Sequence, residues 1–102
     1  MKIVRVQYTA KESYVEKNRE NITRVMDELR NLNNPGIKYS VYLMNDGRSF
    51  MHLAIFENDE GQKTLNSLES FKQFGAELKA NGLDTPPVAE NPALVGSSFD
   101  IF

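Results

Sequence analysis

The chain has 102 residues, 40% of them hydrophobic and 25% charged, and its twelve Lys and Arg set against fourteen Asp and Glu leave a net charge of −2. This is the composition of one globular domain over residues 1–102, with no basic stripe to attract nucleic acid or an anionic membrane. The absence of cysteine removes disulfides, thiolate nucleophiles and cysteine metal sites, and the single histidine, His52, supplies one imidazole, too few for a structural zinc centre. No segment approaches the ~20 apolar residues that span a bilayer, and "MKIVRVQYTAKES" lacks the apolar run of a signal peptide. A cytoplasmic location and no membrane partner are expected.

Lys2 to Thr9 alternates apolar and polar residues, with Val4, Val6 and Tyr8 on one face of a strand and Ile3, Arg5 and Gln7 on the other. Ser13 with Glu16 then forms a capping-box signature. Val15, Ile22, Val25, Met26, Leu29 and Leu32 recur at helical spacing until "NNPG" ends the run. Ile37 to Met44 alternates again, and "NDG" before Arg48 joins it to "SFMHLAIF" as a hairpin. A second helix follows over Asp59 to Asn81, capped by Asp59 with Gln62 and restarted after a bend by Ser70 with Gln73. Its inner face carries Leu65, Leu68, Phe71, Phe74 and Leu78. Asn81 to Pro92 contains three prolines and reads as an irregular loop, and "ALVGSSFDIF" closes the chain as a strand.

The order is βαββαβ, a ferredoxin-like α+β fold with the first and third strands central in a four-stranded antiparallel sheet and both helices on one face. The hairpin bears Tyr39, Tyr42, Phe50 and Phe56. An outer face this apolar needs a cover, and a second copy of the chain is the simplest one, giving a homodimer.

The site expected from this arrangement surrounds His52. Matching Val4, Val6 and Tyr8 with Met51, Leu53 and Ile55 as the apolar face under the helices leaves Arg5, Gln7 and His52 together on the opposite face, with Phe50 and Phe56. An Arg, a Gln and a His among aromatic side chains suit a small-ligand pocket. The plainer alternative is a structural His52 bonded within the sheet, and an Arg5 that pairs with Glu57 or Asp100. Tyr39 and Tyr42 point opposite ways, so one of them faces the barrel. Ser97 and Ser98 on the last strand are the serines nearest His52 in this plan, and no nucleophile elbow surrounds them. The strand order also matches RNA-recognition domains, but their aromatic signature is missing and the net charge has the wrong sign.

Over nearly its whole length, through "VQYTAKESYVEKNRENI", "IKYSVYLMNDGRSFMHLAIFEN", "LESFKQFGAELK" and "NPALVGSSF", the chain resembles the dimeric α+β barrel proteins related to antibiotic biosynthesis monooxygenases. Glu57 after the third strand, followed by Leu68 to Leu78 in place of a "SPAFQAF"-like segment, is the most telling part. The resemblance implies a homodimer and, among activities of the group, a cofactor-independent monooxygenase-like enzyme acting on an aromatic or phenolic substrate. Haem degradation does not carry over, because the chain has no tryptophan, Gln7 lies near the family's Asn position and the second helix has no His. In the enzyme reading Arg5 orients a phenolate-like or acidic substrate and His52 moves a proton, with Gln7, Tyr42, Phe50 and Phe56 lining the site and no cofactor or metal. The alternative is a non-catalytic dimeric ligand-binding or accessory domain.

Overall fold

The computed structural model spans Met1–Phe102. Its strands are β1 (Lys2–Ala10), β2 (Ile37–Leu43), β3 (Ser49–Phe56) and β4 (Leu83–Glu90), and its helices are α1 (Val15–Leu32), α2 (Asp59–Ser67) and α3 (Glu69–Glu77). A 3₁₀ turn, Glu12–Tyr14, leads into α1, and a π-helical turn, Leu78–Gly82, joins α3 to β4. The sheet is antiparallel throughout in the order β2-β3-β1-β4, so the first and third strands are central as the ferredoxin-like plan requires. Phe50 and Phe56 of β3, Val25 of α1, Leu65 of α2 and Phe74 of α3 meet in the core between sheet and helices.

The fourth strand is a correction. It is the proline-rich segment, while Asn91–Phe102 carries no regular structure. Two features let prolines into this strand. It lies at the sheet edge, where one row of backbone donors needs no partner, and it bulges where the prolines fall. Gln7 pairs with Val88 and Thr9 with Thr85, so Pro86 and Pro87 together stand opposite Tyr8. A second irregularity passes over Asp84, since Ala10 pairs with Leu83.

The helix ends also differ from expectation. Tyr14, not Ser13, occupies the N-cap of α1, with no side-chain capping bond, and its N–H is bonded to the Lys11 carbonyl in the 3₁₀ turn. Asn58 caps α2 one residue before Asp59, its side chain accepting from the Glu60 N–H. Ser70 restarts nothing. Its hydroxyl donates to the Glu28 carboxylate at 2.6 Å and ties α3 to α1, and Leu68 in extended conformation makes the break between α2 and α3. The hairpin turn is as expected: the Asp46 carboxylate accepts from the N–H groups of Arg48 and Ser49, and Gly47 takes the positive φ of 74°.

The register of the two central strands decides where the site lies. Tyr8 stands opposite Phe50, Val6 opposite His52 and Val4 opposite Ala54. These residues therefore share the helix-facing side, while Arg5 opposite Leu53 and Gln7 opposite Met51 lie on the outer side. Val4, Val6 and Tyr8 face the helices and Arg5 and Gln7 the outer side as expected, but β3 is turned over: Phe50, His52 and Phe56 lie under the helices, and Met51, Leu53 and Ile55, expected there, lie outside.

Candidate functional site

His52 projects from the middle of β3 into the space under the helices and is 6% exposed. Both ring nitrogens are bonded. The Tyr8 hydroxyl lies 2.8 Å from Nε2 and the Tyr39 hydroxyl 2.6 Å from Nδ1. Asn18 of α1, fully buried, donates its side-chain N–H to the Tyr8 hydroxyl at 2.8 Å. Three strands and one helix thus contribute to a single chain of contacts, Asn18–Tyr8–His52–Tyr39. Burial disfavours the charged imidazolium and pulls the His52 pKa down from its ordinary value to about 4, so the ring is neutral at pH 7. The same cause raises both tyrosines well above the ordinary phenol range. Aromatic rings hold the imidazole in place, with Phe74 at 5.4 Å and Tyr8 at 5.3 Å between centroids.

His52 and Tyr39 form part of the wall of a cavity of about 440 Å³ between the sheet and the helices. Val4, Val6 and Ala54 floor it, Leu65, Phe71 and Phe74 roof it, and Gln62, Asn66 and Lys79 add polar groups. An apolar lining with a few convergent polar groups is the make-up of a small-molecule site. Its far side is built from the irregular segments, since Leu78 and Lys79 belong to the π-helical turn and Pro87 to the β4 bulge. π-turns and bulges recur at functional sites. Gly82 completes the turn, because any Cβ at that position would overlap the Tyr14 ring.

The residues expected at the site divide between the two faces. His52 and Phe56 line the cavity, but on the helix side and not on the outer face where they are expected. Phe50 is core, 2% exposed and stacked on Tyr8 with centroids 5.7 Å apart, so its place under the helices corrects the expectation that it covers the outer face. Arg5 and Gln7 lie on the outer face as expected, which parts them from His52: there the Arg5 guanidinium donates to Glu90 at 3.1 Å and to the Gln7 side-chain carbonyl at 2.6 Å. Its acidic partner is neither Glu57 nor Asp100. Tyr42 pairs with Met51 on that outer face and is exposed, and Tyr39 takes the inward position. Ser97 and Ser98 lie in the irregular tail, where the Ser97 hydroxyl donates to the Phe99 carbonyl at 2.7 Å. No three His, Asp or Glu side chains converge as metal ligands, and no helix is long and apolar enough to cross a membrane.

Tyr8 and Asn18 were absent from the expected set. A signal for Asn18 exists: it and Asn21 fall on the apolar stripe that runs to Val25, and a polar side chain on a core-facing stripe needs a bonded partner. Asn21 finds its partners outside the cavity network, donating to Glu77 at 2.6 Å and accepting from Arg24 at 2.8 Å. Asn18 finds Tyr8.

No protein-family model matches the chain and no curated protein matches it. Solved structures do. One from Deinococcus radiodurans, named as an antibiotic biosynthesis monooxygenase, superposes with a TM-score of 0.71 at 19% identity, covering 100% of this chain and 99% of that one. Proteins of the same name from Caulobacter crescentus (TM-score 0.77, 15% identity, 93% and 90% covered) and Nitrosomonas europaea (TM-score 0.77, 9% identity, 92% and 89% covered) are similar over the same extent. At such identities the likeness concerns the backbone and leaves activity open. The chain has the ferredoxin-like α+β fold of the antibiotic biosynthesis monooxygenase structures.

Proposed function

We propose that the protein binds a small aromatic or phenolic molecule in the helix-side cavity and acts on it as a cofactor-independent monooxygenase-like enzyme. The observation that carries this reading is the 440 Å³ apolar cavity with His52 and Tyr39 in its wall. Its size suits a fused two-ring or three-ring ligand, and the imidazole of His52 with the phenols bonded to it, Tyr8 and Tyr39, forms a hydrogen-bonded cluster in its wall. Lys79, from the π-helical turn, adds a cation suited to an acidic substituent. Arg5 has no part in this version of the site.

A specific feature favours the second reading, a non-catalytic binding domain: both nitrogens of His52 are already engaged, so the ring holds neighbouring hydroxyls in place and offers no free base. Oxygen uptake with 1-naphthol or 1,8-dihydroxyanthracene as trial substrates separates the two. Turnover that falls at least about tenfold in His52→Gln supports catalysis. Ligand-induced stabilisation without oxygen uptake supports the binding domain, and neither response in a wider set of aromatic acids and phenols removes both readings.

The protein is further proposed to work in the cytoplasm as a homodimer through the outer sheet face, where Met51, Leu53 and Ile55 remain half-buried and Tyr42 and Val88 are exposed. Leu53→Glu is expected to give a folded monomer by light scattering; an unchanged dimer would rule out this interface.

A further inference from the structure

The buried hydrogen bonds have a direction, and that direction specifies what the cavity recognises. Asn18 turns its amide N–H toward Tyr8, and its carbonyl Oδ1 has no partner, the one buried side-chain polar atom in the molecule left so. The reverse orientation would place an NH₂ group where nothing accepts from it, and an orphaned donor is rarer and costlier than an under-satisfied carbonyl. With the Tyr8 oxygen accepting from Asn18, the Tyr8 O–H has one acceptor within reach, His52 Nε2 at 2.8 Å. A neutral imidazole that accepts at Nε2 carries its proton on Nδ1, so Nδ1–H donates to the Tyr39 oxygen at 2.6 Å. The Tyr39 hydroxyl proton then has no protein acceptor, while Tyr39 lines the cavity.

We infer that Tyr39 is the specificity-determining donor of the cavity, held by the Asn18–Tyr8–His52 chain so that its O–H is offered to a ligand oxygen that accepts, an aryl ketone or a phenolate. The opposite tautomer would make Tyr39 donate to His52, and the cavity would then select ligand O–H groups. This deepens the function proposed above and rests on the same cavity.

The test begins with the wild-type protein without ligand. His52 is the only histidine, so labelling histidine with ¹⁵N gives one ring, and long-range ¹H–¹⁵N correlation at pH 7 reports which nitrogen is protonated. Protonation at Nδ1 is expected; protonation at Nε2 overturns the inference whether or not any ligand binds. The second arm measures the affinity of 2-acetylnaphthalene, which only accepts, against 2-ethylnaphthalene, which has the same shape and no oxygen. The ketone should bind about tenfold tighter, and Tyr39→Phe should abolish that preference. Equal binding of the two by the wild type, or a preference that persists in Tyr39→Phe, overturns the inference. The Nδ1–H tautomer with no binding of either naphthyl compound or of the wider set of aromatic acids and phenols would instead refute the proposed function.

Discussion

The two faces of the sheet use polar residues in opposite ways. On the helix side His52, Tyr8 and Asn18 are almost completely buried, and each is bonded to a partner from another element. On the outer side Arg5 pairs with Glu90, and these side chains remain 33% and 59% exposed. Water screens the second pair and leaves its net contribution small, whereas the first network sits where unmade bonds cost most. Basic and acidic residues therefore draw the eye to the outer face, but the neutral groups on the inner face surround the cavity.

The largest expected contrast comes from cutting into the inner face. Phe50→Ala removes a ring 2% exposed and stacked on Tyr8, and should cost about 3–5 kcal/mol in denaturant unfolding. A loss below about 1 kcal/mol would mean that Phe50 faces outward after all.

Acid should come next. The His52 pKa is about 4 in the folded protein against an ordinary 6.5, so the unfolded chain binds the extra proton first. Stability is full above pH 6.5 and falls as the pH drops toward 4, by up to about 3 kcal/mol for this shift. Subtracting the pH profile of His52→Gln from that of the wild type isolates this contribution. Parallel profiles between pH 6.5 and 4 would show His52 to be as solvated as an ordinary surface histidine.

The smallest effect is expected on the outer face. Arg5→Ala should change the stability of the protein by less than about 1 kcal/mol and leave affinity for aromatic ligands unaltered. A large loss of ligand binding would return Arg5 to the site.

Much of this architecture is legible in the sequence. The alternation in Lys2–Thr9 and Ile37–Met44, the "NDG" turn and the helical stripes determine the order of elements, and that order leads to the sheet. Parity between β1 and β3 is harder to read, because β3 is apolar on both sides, Phe50, Ala54 and Phe56 on one and Met51, Leu53 and Ile55 on the other. A slip of one residue exchanges the faces, and the choice that groups Arg5, Gln7 and His52 by polarity is the wrong one. The sequence pattern does not say that His52 is satisfied from Tyr8 and Tyr39, since those partners are 44 and 13 residues away along the chain. β4 hides for a different reason: prolines oppose a central strand but are tolerated at a bulged edge, and only the sheet order shows that this strand is an edge.

Under the proposed function the helix side of the sheet is the side that binds. A titration with 2-acetylnaphthalene, followed by NMR of the His52 ring and of leucine and isoleucine methyl groups, tests this directly. Shifts at His52, Leu65 and Leu78, with Leu53 and Ile55 unmoved, are the predicted result, because only the first three line the cavity. Saturable shifts at Leu53 and Ile55 with an unmoved His52 would contradict it and place the binding site on the outer face.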